Sequence, residues 1–245
     1  MGAPRHGGDA TREKSAPPRV AHRSDPAFAQ ALAEDRDRAL ALTPVSRETS
    51  VRLDRFIEVL LEWQRHTNLI APSTEQTIWT RHIADSLQLL LLAPKSRPGS
   101  QIWADLGSGA GFPGLVIACA LAEQKGVEVH LIESIGKKAN FLREAVRAAG
   151  VPAEIHAVRI ADFVKRAPKR IDVVTARALA PLPKLLTEAY PLLKRGARGL
   201  FPKGQDVATE LTEAAKYWNI KATLAESRTD PRSRIVVVES AEPRI

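Results

Sequence analysis

The stretch 105-DLGSGAGFPG-114 joins a strand-length run, Gln101–Leu106, to an apolar run, Leu115–Ala122. A strand, a glycine-dense turn and an apolar helix make up a βα unit whose loop faces a ligand. Gly107, Gly109 and Gly111 are spaced G-x-G-x-G. Glycine belongs there because the ligand must approach the backbone closely and the turn needs dihedrals that side chains disfavour. Glu133 ends the next strand-length run, 22 residues past Gly111. A carboxylate at that place accepts hydrogen bonds from ribose hydroxyls. Loop, helix and acid together point to an adenosine-containing cofactor.

Two cofactors fit. Gly109, Gly111 and Gly114 also match G-x-G-x-x-G, the dinucleotide pattern. Its first glycine would then stand three residues beyond the strand instead of at its end. Asp105, just before the loop, is the kind of acid that methyltransferases carry near the methionine part of S-adenosylmethionine. A carboxylate suits ammonium and sulfonium charges and does not suit a pyrophosphate. These features favour S-adenosylmethionine, with a dinucleotide as the alternative.

Outward from the loop, residues after Ser100 alternate between short apolar runs and helical stretches. The strands are expected at Gln101–Leu106, Val127–Glu133, Glu154–Val158, Ile171–Thr175, Arg198–Phe201, Ile220–Leu224 and Arg234–Glu239. Helices are expected near 113–124, 137–149, 182–195 and 205–218. This alternation predicts a parallel sheet covered on both faces. The linker Ala225–Arg232 is too short for a crossover helix, so the last two strands should pair antiparallel. The expected fold is α/β: a seven-stranded, mostly parallel, Rossmann-like sheet of the class I methyltransferase type. Before it, residues 26–98 read as an N-terminal helical cap. A first helix starts at Pro26 and a second follows Ser46, with Leu53, Phe56, Ile57 and Leu60 in one stripe that runs on to Gln64. A third, about Thr74 to Leu92, offers Ile78, Leu87, Leu90 and Leu91 for burial. Residues 1–25, rich in Gly, Pro, Arg and Ser, read as a disordered extension. Residues 99–245 form the cofactor-binding domain.

The 245 residues are 44% hydrophobic and 26% charged, which excludes wholesale disorder. The net charge is +8, of which residues 1–25 contribute only +2, so a basic body facing a polyanion is expected. The single cysteine, Cys119, excludes a disulfide framework and a cysteine-built zinc site and fits a reducing cytoplasm. The six histidines are scattered along the chain, and no metal is expected. No apolar run approaches the roughly 20 residues of a membrane span, and the N-terminus has no apolar signal core.

Missing motifs narrow the chemistry. Amino-group methylation of adenine or cytosine uses an Asn/Asp-Pro-Pro-aromatic tetrapeptide after the fourth strand. That place reads 172-DVVTARALAPL-182. Carbon-5 methylation of pyrimidines needs a cysteine nucleophile, and Cys119 lies inside an apolar helix. Guanine N7 fits this absence: its lone pair is available without deprotonation, and the enzyme need only align the groups and exclude water.

Several segments together resemble the glucose-inhibited division protein B family, the small-subunit ribosomal RNA methyltransferases G. They are 62-EWQRHTNLIAPS-73, 81-RHIADS-86, 104-ADLGSGAGFPG-114, 133-ESIGKKANFLREA-145, 159-RIADF-163, 172-DVVTARALAPL-182 and 202-PKGQ-205. The resemblance covers roughly residues 45 to 240. It implies transfer of a methyl group from S-adenosylmethionine to guanine N7 in a loop of 16S ribosomal RNA. It implies cofactor contacts at Gly107, Phe112, Glu133, Ile160, Ala161 and Arg177, beside Asp105, Gly109 and Gly111 of the loop. The family often has an acid where Ala161 stands; a backbone contact to adenine survives this change and a side-chain contact does not. Arg177, just past the fourth strand, is the residue expected at the reacting groups, and its replacement by alanine is expected to cost activity with little effect on stability. Lys203, Arg81 and His82 are candidates for RNA contact. Arg81, His82 and Asp85 equally suit a network holding the cap to the sheet. The expected partner is 16S ribosomal RNA or the small ribosomal subunit, bound by a cytoplasmic monomer. A non-catalytic S-adenosylmethionine-binding RNA or ribosome-associated protein and a dinucleotide-dependent oxidoreductase are the alternatives from other classes.

Overall fold

The computed structural model describes residues 25–94 and 101–244. The expected extension falls outside them except for Asp25. That residue is the N-cap of α1 (Pro26–Leu42), its carboxylate accepting from the Ala27 amide at 2.9 Å. Ser46 caps α2 (Arg47–Gln64) in the same way, and Leu53, Phe56, Ile57 and Leu60 are buried along the expected stripe. Gln64 closes that stripe with hydrogen bonds: its side chain donates to the Ile70 carbonyl and accepts from the Leu69 and Ile70 amides, fixing the turn that follows.

The third helix is composite. Residues 72–91 pass through a 3-10 helix (Pro72–Thr77), a π-helical turn (Trp79–Ala84), a short α turn α3 (Asp85–Leu87) and a second 3-10 helix (Gln88–Leu91). Buried Asp35 of α1 caps this segment by accepting from the Trp79 and Thr80 amides at 2.9 and 3.0 Å. The changes of pitch move the apolar phase. Leu91, expected inside, is 63% exposed, and Leu89 is buried in its place.

The sheet has seven strands in the order β3-β2-β1-β4-β5-β7-β6. They are β1 (Gln101–Leu106), β2 (Val127–Ile132), β3 (Ala153–His156), β4 (Val173–Thr175), β5 (Arg198–Lys203), β6 (Trp218–Glu226) and β7 (Arg234–Pro243). β7 lies antiparallel to both neighbours and the other pairings are parallel, as the short linker required. One face is covered by α2, α4 (Gly114–Leu121) and α5 (Gly136–Ala149), through Phe56, Leu115 and Phe141. The other is covered by α6 (Ile160–Arg166), α7 (Leu182–Leu193) and α8 (Val207–Ala214), through Phe163, Leu186 and Val207. The helical cap therefore shares its core with the sheet.

Two further elements differ from expectation. α6 was not foreseen, because seven residues are too few to display a helical period. The helix expected over 205–218 stops at Ala214; buried Trp218 starts β6 instead, since β6 extends to pair along the whole of β7. The strand order reverses between β1 and β4, and open α/β sheets bind ligands at the carboxyl ends of the strands beside such a switch.

Candidate functional site

The loop leaves β1 at that switch. Gly107, Gly109 and Gly111 have φ of +70°, +55° and +87°, which explains glycine at all three positions. Two carboxylates hold the loop from below and from the side. Glu133 accepts from the Gly109 amide at 3.0 Å and from the Ile135 amide at 2.7 Å, so it braces the loop against β2. Asp105 accepts from the Thr175 hydroxyl at 2.8 Å and from the Gly114 amide at 3.1 Å, tying β1 to β4 and to the start of α4. Burial pushes the Asp105 pKa up to about 6 against these hydrogen bonds. Asp105 is thus beneath the loop and does not line the cavity, contrary to its expected place facing the methionine part of the cofactor.

Two cavities of similar size flank the segment that follows β4. The first, about 590 Å³, is lined by Gly107, Gly109, Glu133, Ile160 and Ala161, with Ala178 and Leu179 on its far wall. Five of the expected cofactor residues meet there although 54 positions separate Gly107 from Ala161. The second, about 580 Å³, is lined by Arg81, His82, Asp85, Arg177 and Lys203 and by the same Ala178 and Leu179. Each volume suits a small organic ligand or a nucleoside. Ala178 has φ +52°, and a Leu179 methyl stands 2.6 Å from where a Cβ on Gly107 would be. Neither residue stood out in the sequence, where no local pattern marks a left-handed alanine.

Phe112, an expected cofactor contact, does not line the first cavity. It is a buried hub: the His82 ring stacks on it with centroids 4.8 Å apart, and the Arg177 guanidinium lies 5.1 Å from its centroid. Gly111 lies with it behind the loop, where an added Cβ would stand 3.1 Å from Phe56 and Leu115. Arg177 also pairs with Asp85 at 3.5 Å and donates to the Arg81 carbonyl at 3.2 Å. Arg81 in turn pairs with Asp230 at 3.3 Å, on the turn between β6 and β7. The same turn supplies Thr229, which donates to Asp85 at 3.0 Å. The cap network and the wall of the second cavity are therefore one structure. Asp230 and Thr229 were missed because a turn between strands carries no functional pattern of its own.

His82 is half-buried beside two arginines; desolvation first and the Arg177 charge second hold its pKa at about 3. Its Nε2 lies 3.2 Å from the Thr74 hydroxyl, and its Nδ1 has no hydrogen-bond partner among the described residues. Lys203 is not a free cation for RNA phosphate. Its ammonium pairs with Glu210 at 2.7 Å and donates to the Ala180 carbonyl at 2.7 Å, so it holds the segment after β4 in place. The histidines are not all scattered either: parallel pairing of β2 and β3 brings His130 and His156 together with Glu154.

Residues 50–231 match the family model described as rRNA small subunit methyltransferase G. A Bradyrhizobium sp. (strain ORS 278) protein named ribosomal RNA small subunit methyltransferase G is 58% identical over 213 residues, 87% of this chain and 94% of that protein. A Nitrobacter hamburgensis protein of the same name is 58% identical over 212 residues, 86% of this chain and 80% of that one. Among solved structures, the fibrillarin/Nop5p complex matches with TM-score 0.50 at 14% identity, covering 66% of this chain and 82% of that one. MtNAS in complex with MTA and tNA matches with TM-score 0.50 at 15% identity, covering 88% and 78%. The structural likenesses speak for the fold and the sequence matches for the lineage: this chain belongs to the rRNA small subunit methyltransferase G family.

Proposed function

We propose that the chain transfers the methyl group of S-adenosylmethionine to N7 of a guanine in a loop of 16S ribosomal RNA, in the cytoplasm. The observation that carries this reading is the pair of cavities meeting at Ala178–Leu179, one walled by the glycine loop and Glu133, the other by Arg81, His82 and Arg177. The residues of the first cavity fit the cofactor, since no Cβ fills the loop at Gly107 or Gly109 and an acid stands where a ribose is expected. When bound, S-adenosylmethionine supplies the methyl group and the sulfonium that leaves as a neutral thioether. Gly107, Gly109 and Glu133 position the donor; Ile160 and Ala161 flank its base. Arg177 orients the acceptor side from its platform on Phe112. None of these groups needs to take a proton, because N7 has none to lose. In A-form RNA guanine N7 faces a deep, narrow groove, so the target must be presented from a loop or distorted segment. The membrane plays no part in this reading, and no helix among the described residues is long and apolar enough to cross one. Nucleoside mass spectrometry of 16S ribosomal RNA from a strain lacking the gene should show 7-methylguanosine lost and then restored by the wild-type gene. An unchanged level would remove this substrate.

Glu133→Ala is expected to weaken S-adenosylmethionine binding by about 1–3 kcal/mol, because two loop amides and the ribose lose one acceptor together. Isothermal titration reads this directly, and NAD should show negligible binding to the wild type. An unchanged affinity in the variant would take Glu133 out of the site.

Single-turnover methylation should be flat from about pH 7 to 9. His82, held at about 3, stays neutral throughout and supplies no basic limb. Asp105 has a folded pKa raised to about 6 from 3.8, so its contribution to stability is full below pH 3.8 and lost as the pH rises through 6. That change is about nine-tenths over at pH 7 and leaves little slope above it. A steep rise between pH 7 and 9 would reveal a general base.

A further inference from the structure

We propose that His130, Glu154 and His156 form a binding site for a divalent transition-metal ion of the zinc class, outside both cavities. The parallel register sets His130 of β2 opposite Glu154 of β3, and His156 follows two residues on, so all three side chains leave the same face of the sheet. Each residue offers one donor atom, and these atoms lie within 4.8 Å of one another. His130 Nδ1 is 3.0 Å from His156 Nε2 and 3.6 Å from a Glu154 oxygen, and His156 Nε2 is 3.7 Å from the other Glu154 oxygen. Tetrahedral zinc with bonds of about 2.0–2.2 Å needs ligand–ligand edges of roughly 3.3–3.6 Å. The edge between the two histidines must open by a few tenths of an ångström, and a turn of the exposed Glu154 carboxylate must bring one of its oxygens onto both rings.

The surroundings suit a ligand set. Burial lowers the pKa of both histidines, which keeps them in the neutral form that ligates. His130 Nε2 is buried without a hydrogen-bond partner among the described residues, and a Glu128 oxygen lies 3.7 Å from it. A metal on Nδ1 fixes the proton on Nε2 and aims it at Glu128, the carboxylate–histidine–metal arrangement common around bound zinc. Phe163 of α6 packs against both rings, at 5.9 and 4.8 Å, and limits their rotation. Glu154 is largely exposed, which leaves the fourth position open to water.

The site reaches the cofactor cavity through the backbone. The His156 carbonyl accepts from the Glu133 amide at 3.1 Å and from the Val158 amide at 2.9 Å. An ion that draws β3 onto β2 therefore stiffens the strand edge that carries Glu133.

The test uses the full-length protein stripped of metal with a chelator and then dialysed. Titration with cobalt(II) should produce the visible bands of a four-coordinate cobalt centre at one equivalent, and zinc should displace them. Zinc should also raise the melting temperature. His156→Ala should abolish the bands and weaken zinc binding by at least about 100-fold, and zinc should no longer raise the melting temperature of this variant above its own metal-free value. Glu154→Gln, at a largely exposed position, should weaken zinc binding at least about 10-fold. Absence of one-equivalent binding in the wild type would overturn the proposal. So would wild-type affinity in both variants, which would place the ion on other histidines of the chain.

Discussion

Arg177→Ala is expected to lower single-turnover methylation by about 10²- to 10³-fold, the usual consequence of removing a preorganised charged donor from a reaction site. The sequence suggested that stability would be nearly unaffected. The structure argues otherwise. The guanidinium stacks on Phe112, faces Asp85 at 3.5 Å and donates to the Arg81 carbonyl. Its removal leaves Asp85 without a cation, although Gln88 and Thr229 still donate to that carboxylate. The loss should be about 1–3 kcal/mol, seen as a drop in melting temperature of about 2–4 °C per kcal/mol for a chain of this size. Arg177→Lys separates the two roles. It keeps a cation opposite Asp85 but has no planar fork, so it should recover most of the stability and little of the activity. Near-wild-type methylation by Arg177→Lys would mean that only the charge matters. An unchanged melting curve in Arg177→Ala would mean that the cap does not depend on this contact.

Gly114→Ala should cause the largest loss of stability of any single methyl added to the loop. A Cβ there would stand 2.4 Å from a Leu131 methyl, 2.6 Å from the Asp105 Cβ and 2.7 Å from its carboxylate oxygen. Leu131 and Asp105 belong to adjacent, fully packed central strands, so neither can yield. Overpacking of this kind costs about 3 kcal/mol. Asp105 would also lose its grip on the Gly114 amide, so cofactor affinity should fall with the melting temperature. Gly136→Ala is the matched control: nothing lies within 4 Å of the added Cβ at the first residue of α5. It should be neutral or stabilise by about 0.4–1 kcal/mol. Comparable melting of the two variants would show that the space beside Asp105 is not as tight as its distances say.

The parts of this protein legible in its sequence are those set by local spacing. The loop 105–114 and Glu133 could be read because unusual dihedrals demand glycine and because a strand's end places an acid at a fixed distance along the chain. The antiparallel β7 followed from a linker too short to cross the sheet. The stripe Leu53, Phe56, Ile57 and Leu60 followed from the helical period. What escaped depends on neighbours distant in sequence. Lys203 looked like a free cation until Glu210 was found against it. Asp105 looked like a ligand group until Thr175 and Gly114 were found on its oxygens. Leu91 faces outward because π and 3-10 turns break the period that would have buried it. His130 and His156 meet only through the register of β2 on β3. Sequence alone determined the strands, the longer helices and the glycine loop, because periodicity and turn chemistry act over a few residues. Tertiary structure decided which charges are free, which are paired and which groups share a wall, because burial and pairing are set by strands and helices that meet only after folding.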